Sequence, residues 1–134
     1  MMKTNNILFI CKYNRFRSKI AEALFNKLNK NKKFKAKSAG VIKGYPISRE
    51  IINASKKAGI RIKGKPKGLS TVLLKWADLT TLVADDVPPK IFSKNYTKKL
   101  ILWKIKDTDS KDKDMQGVIK KIEKNIKNLI KNLK

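Results

Sequence analysis

The chain has no histidine and only one cysteine, Cys11, among its 134 residues. A lone cysteine excludes an internal disulfide framework, and no zinc-ligand spacing is present. No apolar run approaches the ~20 residues that a membrane span needs, so we expect no membrane association. Met1 to Asn6 leads straight into a short strand without a signal-peptide pattern. We therefore expect one domain, residues 1–134, in the cytoplasm, where a reactive thiol stays reduced.

Acidic residues are also scarce: 10 stand against 34 lysines and arginines, which gives a formal net charge of +24. Such an excess attracts polyanions, so nucleic acid is one candidate partner. The lysines are spread over nearly every predicted element, and no Gly-x-x-Gly clamp or RNA-reading aromatic motif accompanies them. We favour a compositional bias over a nucleic-acid site.

The most informative segment is the loop Cys11-Lys12-Tyr13-Asn14-Arg15-Phe16-Arg17-Ser18. It follows an apolar run, residues 7–10, and opens a helix-like run, residues 20–28, so it forms a strand-to-helix turn. Backbone N–H groups at a helix N-terminus lack internal partners, and the helix dipole adds positive potential there. Such a turn binds an oxyanion and also stabilises a thiolate.

Six of the eight side chains of this loop have a predicted part in phosphate chemistry. The Cys11 thiolate is the candidate nucleophile, and Arg17 is placed to bind two phosphoryl oxygens bidentately. Ser18 can donate a hydrogen bond to the Cys11 sulfur, and Asn14 tolerates the left-handed backbone that such a loop requires. Lys12 and Arg15 are expected at the mouth of the pocket, where they would favour acidic substrates. The alternative for Cys11 is that of a small buried apolar residue.

Strands alternate with helices along the rest of the chain. This order predicts an α/β three-layer sandwich, in which a central four-stranded parallel sheet has helices on both faces. Ligands bind such sheets at the carboxyl ends of the strands, where Cys11 and Asp107 should both lie. Asp85 and Asp86 end the third strand at this edge, and we expect them to support the structure. The predicted strands are 6–10, 34–38, 79–84 and 100–105, and the predicted helices are 17–30, 48–59, 69–76 and a last one that includes 118–133.

The loop resembles the signature Cys-x-Gly-Asn-x-x-Arg-Ser of the low-molecular-weight protein tyrosine phosphatases. The likeness continues over most of the chain, at Ile20-Ala21-Glu22-Ala23, Ser38-Ala39-Gly40, Ala58-Gly59-Ile60, Trp76-Ala77-Asp78-Leu79 and Trp103-Lys104-Ile105-Lys106-Asp107. The resemblance implies a cysteine-dependent phosphatase that cleaves phosphotyrosine or other aryl phosphates through a cysteinyl-phosphate intermediate. It implies Asp107 as the general acid, with Asp109 as the second choice.

Positive charge from Arg17 and the loop amides makes a metal or other cofactor unnecessary in this mechanism. The expected partners are a phosphorylated protein or a small phosphomonoester, with inorganic phosphate or sulfate able to occupy the loop. Two other functions stay open. One is arsenate reduction completed by an external thiol, and the other is a non-catalytic phosphoprotein- or RNA-binding module. For Asp107 and Asp109, a structural alternative is capping of the last helix together with Ser110.

The chain departs from the family pattern at four places. Tyr13 replaces a glycine, so the loop could close differently. Phe16 replaces a second cysteine that is common in the family, so a protective disulfide cannot form. Thr108 rather than proline follows Asp107. The aromatic residue that walls the phosphotyrosine ring in the family has Tyr45 as its candidate here, and without Tyr45 the pocket would be more open.

Overall fold

Four parallel strands form a single sheet in the computed structural model, which describes residues 5–62, 64–108 and 111–133. A single 3-10 turn at Pro89–Ile91 interrupts the segment before the last strand. The strands and helices in chain order are β1 Asn6–Cys11, α1 Arg17–Leu28, β2 Lys35–Gly40, α2 Arg49–Lys57, α3 Thr71–Trp76, β3 Leu79–Val83, β4 Leu100–Trp103 and α4 Asp112–Asn132.

The strand order is β2-β1-β3-β4, so β1 lies inside the sheet and pairs with a neighbour on each side. Cys11, the last residue of β1, is in register with Gly40, the last residue of β2. Ile10 is in register with Leu82 of β3. All strands run in one direction, so their carboxyl ends meet at one edge. The parallel α/β architecture expected from the sequence is confirmed.

Alternate residues of β1 enter two different apolar layers. Ile7 and Phe9 pack with the apolar faces of α1, α2 and α4. Leu8 and Ile10 face the opposite side, where α3 contributes Leu74. All four strand side chains are fully buried, which contributes about 1.5–3 kcal/mol of transfer free energy each. Helices therefore cover both faces, and β1 is held firmly at the centre.

Local caps set the ends of the helices. Ser48 accepts a hydrogen bond from the N–H of Ile51 at the start of α2, and Ser70 caps α3 in the same way. Gly59 follows α2 with φ of 76°, as expected of the glycine predicted to end that helix. α1 ends at Leu28, two residues before the predicted end, because Asn29 turns to an extended backbone.

The fourth strand is shorter than predicted. β4 ends at Trp103, although the backbone carbonyl of Ile105 still accepts a hydrogen bond from Asp85 N–H at 3.0 Å. Asp107 therefore lies in a loop beyond the strand, at the same edge of the sheet as Cys11. Within the described residues, no helix combines the length and the apolar character that crossing a bilayer requires.

Candidate active site

The loop between β1 and α1 turns tightly around one left-handed residue. Asn14 has φ of 56° and is, within the described part of the chain, the only non-glycine residue with positive φ. Asparagine adopts this conformation more readily than most residues. Tyr13 occupies the position of the family's glycine without a positive φ, so this backbone does not require glycine there.

The Cys11 sulfur is buried and hydrogen-bonded. The residue is 2% exposed, and its Sγ lies 3.0 Å from Ser18 Oγ. Ser18 Oγ accepts a hydrogen bond from Asn14 Nδ2 at 2.7 Å. Because a serine hydroxyl can accept and donate at once, its own hydrogen stays available for the sulfur. This arrangement stabilises a negative charge on Cys11.

Asn14 connects this hydrogen bond to a wider buried network. Its Nδ2 also donates to Ser38 Oγ at 3.0 Å, and Ser38 in turn donates to Glu22 Oε1 at 2.6 Å. Its Oδ1 accepts from the backbone N–H of Lys67 at 2.9 Å. The side chain of Asn14 thus holds the loop to β2, to α1 and to the segment after α2. Asn14 and Ser18 were predicted as loop residues from the sequence, whereas Ser38 and Glu22 were not.

Arg17, the first residue of α1, is held in place by a carboxylate and a carbonyl. Its Nη1 lies 2.9 Å from Asp86 Oδ1, and its Nη2 donates to Asp86 Oδ2 at 3.2 Å. Nη1 also donates to the backbone carbonyl of Ile105 at 2.9 Å. The two-point contact fixes the plane of the guanidinium. Asp86 was expected to have a structural part at the end of β3, but its pairing with Arg17 was not predicted.

The third nitrogen of Arg17 lies beside Asp107. Nε makes no hydrogen bond within the described residues, and it lies 3.6 Å from Asp107 Oδ1. Arg17 is 1% exposed, whereas the Asp107 side chain is 42% exposed. A buried cationic donor without a hydrogen-bond partner is well placed to bind an oxyanion. Asp107 is therefore close enough to exchange a proton with a group held by Arg17.

A narrow pocket of about 20 Å³ lies between these groups. Its lining residues are Cys11, Tyr13, Arg15, Phe16, Arg17, Ile51 and Asp107. The structure therefore places the predicted nucleophile, anion-binding arginine and acid around one cavity. Asp109 and Ser110 lie outside the described residues. Lys111 is the N-cap of α4, so Asp107 does not cap that helix.

The basic residues predicted at the mouth have different surroundings. Lys12 Nζ lies 5.3 Å from the centre of the Tyr13 ring, which is a cation–π contact. Arg15 lines the pocket, and its Nη2 donates to the carbonyl of Pro46 at 3.2 Å. Tyr45 is 80% exposed and does not line the pocket. Ile51 of α2, which was not predicted as a site residue, lines the pocket, and Tyr45 does not form its aromatic wall.

Two glycines allow neighbouring chain segments to approach the loop. A Cβ on Gly40 would lie 2.6 Å from the Tyr13 carbonyl carbon and 2.7 Å from Asn14 N. A Cβ on Gly44 would lie 2.5 Å from the Tyr13 carbonyl oxygen. These distances are too short for any side chain. Gly40 was visible in the sequence only as part of the Ser38-Ala39-Gly40 resemblance.

The N-terminus of α1 differs from those of α2 and α3. Serine side chains cap α2 and α3, whereas the N-cap of α1 is Phe16, which makes no side-chain cap bond. The first turn of α1 also contains no acidic residue. The positive end of the helix dipole is therefore not neutralised by the chain itself, which favours an anion beside Cys11.

A parallel α/β sheet with a cysteine at the end of its first strand and an arginine at the start of the following helix is typical of a class that includes phosphatases and arsenate reductases. The family model for low molecular weight phosphotyrosine protein phosphatase matches residues 6–134, and the chain belongs to this family. No curated protein sequence gives a significant match.

Solved structures of similar proteins include members with both activities. The chain is 29% identical to the low molecular weight protein tyrosine phosphatase from T. tengcongensis, with a TM-score of 0.84 and coverage of 96% of this chain and 99% of that one. It is 30% identical to an arsenate reductase from Archaeoglobus fulgidus, with a TM-score of 0.76 and coverage of 94% and 99%. Wzb from Vibrio vulnificus, solved in complex with benzylphosphonate, shares the fold at 20% identity, a TM-score of 0.84 and coverage of 97% and 99%.

Proposed function

We propose that this protein is a cysteine-dependent phosphatase that hydrolyses phosphotyrosine or other aryl phosphate monoesters. The observation that carries the proposal is the convergence of Cys11, Arg17 and Asp107 on one pocket. Each group has a distinct chemical task in phosphate ester cleavage. Membership in the phosphatase family supports the assignment.

In the first step, the Cys11 thiolate attacks phosphorus in line with the aryl oxygen. A sulfur–phosphorus bond forms while the phosphorus–oxygen bond to the aryl group breaks. Asp107 donates its proton to the departing oxygen, which leaves as a phenol. Arg17 Nε and the loop amides bind the equatorial oxygens as their charge develops.

In the second step, water attacks the cysteinyl phosphate. Asp107, now a carboxylate, takes the proton from the water, the sulfur–phosphorus bond breaks, and inorganic phosphate leaves. The hydroxyl of Ser18, 3.0 Å from Sγ, stabilises the thiolate that is released. Asp86 acts through Arg17, because it keeps the guanidinium facing the pocket.

The walls of the pocket support an aryl ester as the substrate. Tyr13, which lines the pocket beside Cys11 and is partly exposed, offers an aromatic ring against which an aryl leaving group can pack at the mouth. Lys12 and Arg15 make the loop basic, which favours a phosphorylated protein with acidic residues near the phosphate. We place this activity in the cytoplasm, where the thiol of Cys11 stays reduced.

The test is hydrolysis of p-nitrophenyl phosphate without added metal by the wild type, Cys11→Ser and Asp107→Ala, with Asp114→Ala as a control. Asp114 is an exposed aspartate in the first turn of α4 that does not line the pocket. We expect no turnover from Cys11→Ser, a loss of about 10²–10⁴-fold in kcat for Asp107→Ala, and no change for Asp114→Ala. A folded wild type that binds phosphate without turnover would refute the phosphatase assignment and favour a binding module.

Arsenate reduction is the second candidate, favoured by the 30% identity to the arsenate reductase from Archaeoglobus fulgidus. Cys11 would displace water from arsenate to form a sulfur–arsenic bond. An external thiol would then attack the Cys11 sulfur, forming a mixed disulfide and releasing arsenite with two more electrons. A second thiol would reduce that disulfide, because the chain has no other cysteine. Arsenate-dependent oxidation of glutathione, measured beside aryl phosphate turnover, separates the two functions.

A further inference from the structure

A second cleft of about 810 Å³ lies behind the phosphate loop, between α1 and the segment that follows α2. Its volume is in the range of small-molecule sites. It shares no lining residue with the pocket around Cys11. The cleft is therefore a separate cavity, for which the phosphatase mechanism has no use.

The lining of this cleft is strongly basic. Its ionisable side chains are Lys19, Glu22, Lys27, Arg61, Lys65 and Lys67. Five cations against one carboxylate leave a formal charge of +4 around one concave surface. The carboxylate of Glu22 already accepts a hydrogen bond from the hydroxyl of Ser38 at 2.6 Å. Concave walls concentrate such a field, so the cleft attracts an anion with more than one charge.

Lys19 is the most unusual of these residues because it is a buried cation, only 3% exposed. Burial lowers the pKa of its ammonium below the usual range; Glu22 opposes that shift, and Lys67 adds to it. An anion in the cleft would offset both the burial and the repulsion from Lys67.

Two glycines with positive φ form part of the same wall. A Cβ on Gly59, with φ of 76°, would lie 3.4 Å from Lys27 Nζ, and one on Gly64, with φ of 81°, would lie 3.4 Å from Lys19 Nζ. Side chains are disfavoured at both positions by the backbone angle. The ammonium groups therefore lie directly against bare backbone, which keeps the cleft open beside them. Ala23, which is partly exposed, adds apolar surface to the lining.

Hydrogen bonds connect the cleft to the phosphate loop by two routes. Glu22 reaches Asn14 through Ser38, and the backbone N–H of Lys67 donates directly to Asn14 Oδ1 at 2.9 Å. Asn14 in turn donates to the hydroxyl that contacts the Cys11 sulfur. A ligand that moves Glu22 or Lys67 therefore changes the setting of the nucleophile.

We propose that this cleft is an effector site for a small anion carrying a diphosphate group, which adjusts the phosphate loop through Asn14. The cations would bind the phosphoryl oxygens, and the apolar part of the lining beside Ala23 would take the uncharged part of a nucleotide. The binding half of the proposal is independent of catalysis, whereas the effect on turnover rests on the proposed phosphatase activity.

The experiment is a calorimetric titration of the full chain with ADP, with pyrophosphate and with adenosine, in 0.15 M salt, both without and with saturating phenylphosphonate to occupy the Cys11 pocket. The variant is Arg61→Gln/Lys65→Gln, whose two side chains are exposed on the cleft. The matched control is Lys90→Gln/Lys124→Gln, which removes the same charge at exposed positions away from the cleft. We expect binding of ADP or pyrophosphate but not adenosine, weakened at least roughly tenfold in the variant and less than about twofold in the control. Tighter binding of ADP than of pyrophosphate assigns a nucleotide, and equal binding assigns an inorganic diphosphate.

Several results would overturn the proposal. No diphosphate binding, or equal weakening in both double variants, would show a diffuse basic surface instead of a site. Binding that saturating phenylphosphonate abolishes would place the ligand in the Cys11 pocket. Diphosphate binding with unchanged KM and kcat for p-nitrophenyl phosphate would refute the effector role. If the enzyme has no turnover, the proposed phosphatase activity fails, and the titration still decides whether the cleft binds a diphosphate.

Discussion

The side chain of Asn14 combines two stabilising effects that substitution can separate. It makes three hydrogen bonds in a fully buried position, to Ser18, Ser38 and the backbone of Lys67. At roughly 1 kcal/mol each, their loss costs about 3 kcal/mol. Its φ of 56° makes a second contribution to the free energy of unfolding, because this conformation destabilises alanine by about 1 kcal/mol or more but does not destabilise glycine. We therefore expect Asn14→Ala to lower the free energy of unfolding by about 4 kcal/mol.

Asn14→Gly is the informative companion, because it removes the same hydrogen bonds and relieves the backbone. We expect it to lose about 3 kcal/mol, so that glycine is the more stable of the two variants by about 1 kcal/mol. Elsewhere in an element glycine is the less stable by a similar amount, so the order itself is diagnostic. Urea denaturation followed by tryptophan fluorescence measures both values. Asn14→Gly less stable than Asn14→Ala, or either variant as stable as the wild type, would refute the reasoning.

Three further changes test other parts of the structure. Ser18→Ala removes the hydroxyl beside Cys11, so kcat for p-nitrophenyl phosphate should fall roughly 10–100-fold with little change in KM; an unchanged kcat would mean that the serine does not stabilise the thiolate. Asp86→Asn should raise KM about tenfold, because Arg17 loses its two-point anchor, and inhibition by inorganic phosphate should weaken in parallel. Burial alone would raise the pKa of Asp78, but hydrogen bonds donated by backbone amides outweigh burial and hold that pKa below its usual 3.8. The stabilisation that these hydrogen bonds give to the folded state is present above pH 3.8 and is lost as the pH falls through the lower folded-state pKa. The stability difference between the wild type and Asp78→Asn should therefore shrink on acidification in urea melts, and a constant difference would contradict the assignment.

Local signals in the sequence were sufficient for much of the phosphate loop. The apolar run before Cys11 and the helical spacing after Arg17 predict a strand-to-helix turn, and the described structure has one. Asn14 was expected in a left-handed conformation because few other residues adopt it, and it has φ of 56°. Gly59 was predicted at the end of α2 by the same kind of argument. These features depend on neighbours within a few residues, which the sequence displays directly.

The partners of the loop from distant elements were not predictable in the same way. Asp86 is 69 residues from Arg17, and their pairing depends on β3 lying next to β1, which the alternation of strands and helices does not specify. Glu22 and Ser38 join the network because β2 lies on the other side of β1. Strand order is a property of the whole fold, and so is the packing of α2 that brings Ile51 to the pocket.

The central position of β1 has a consequence for how the site is lost. Because β1 is hydrogen-bonded on both sides and ends in Cys11, the nucleophile cannot be released by fraying of a sheet edge. Opening it requires separation of β1 from β3, inside the sheet, as well as from β2, which is close to global unfolding. Amide hydrogens of β1 should therefore exchange only through the cooperative transition, and the binding of an anion at this loop reports on the integrity of the entire sheet.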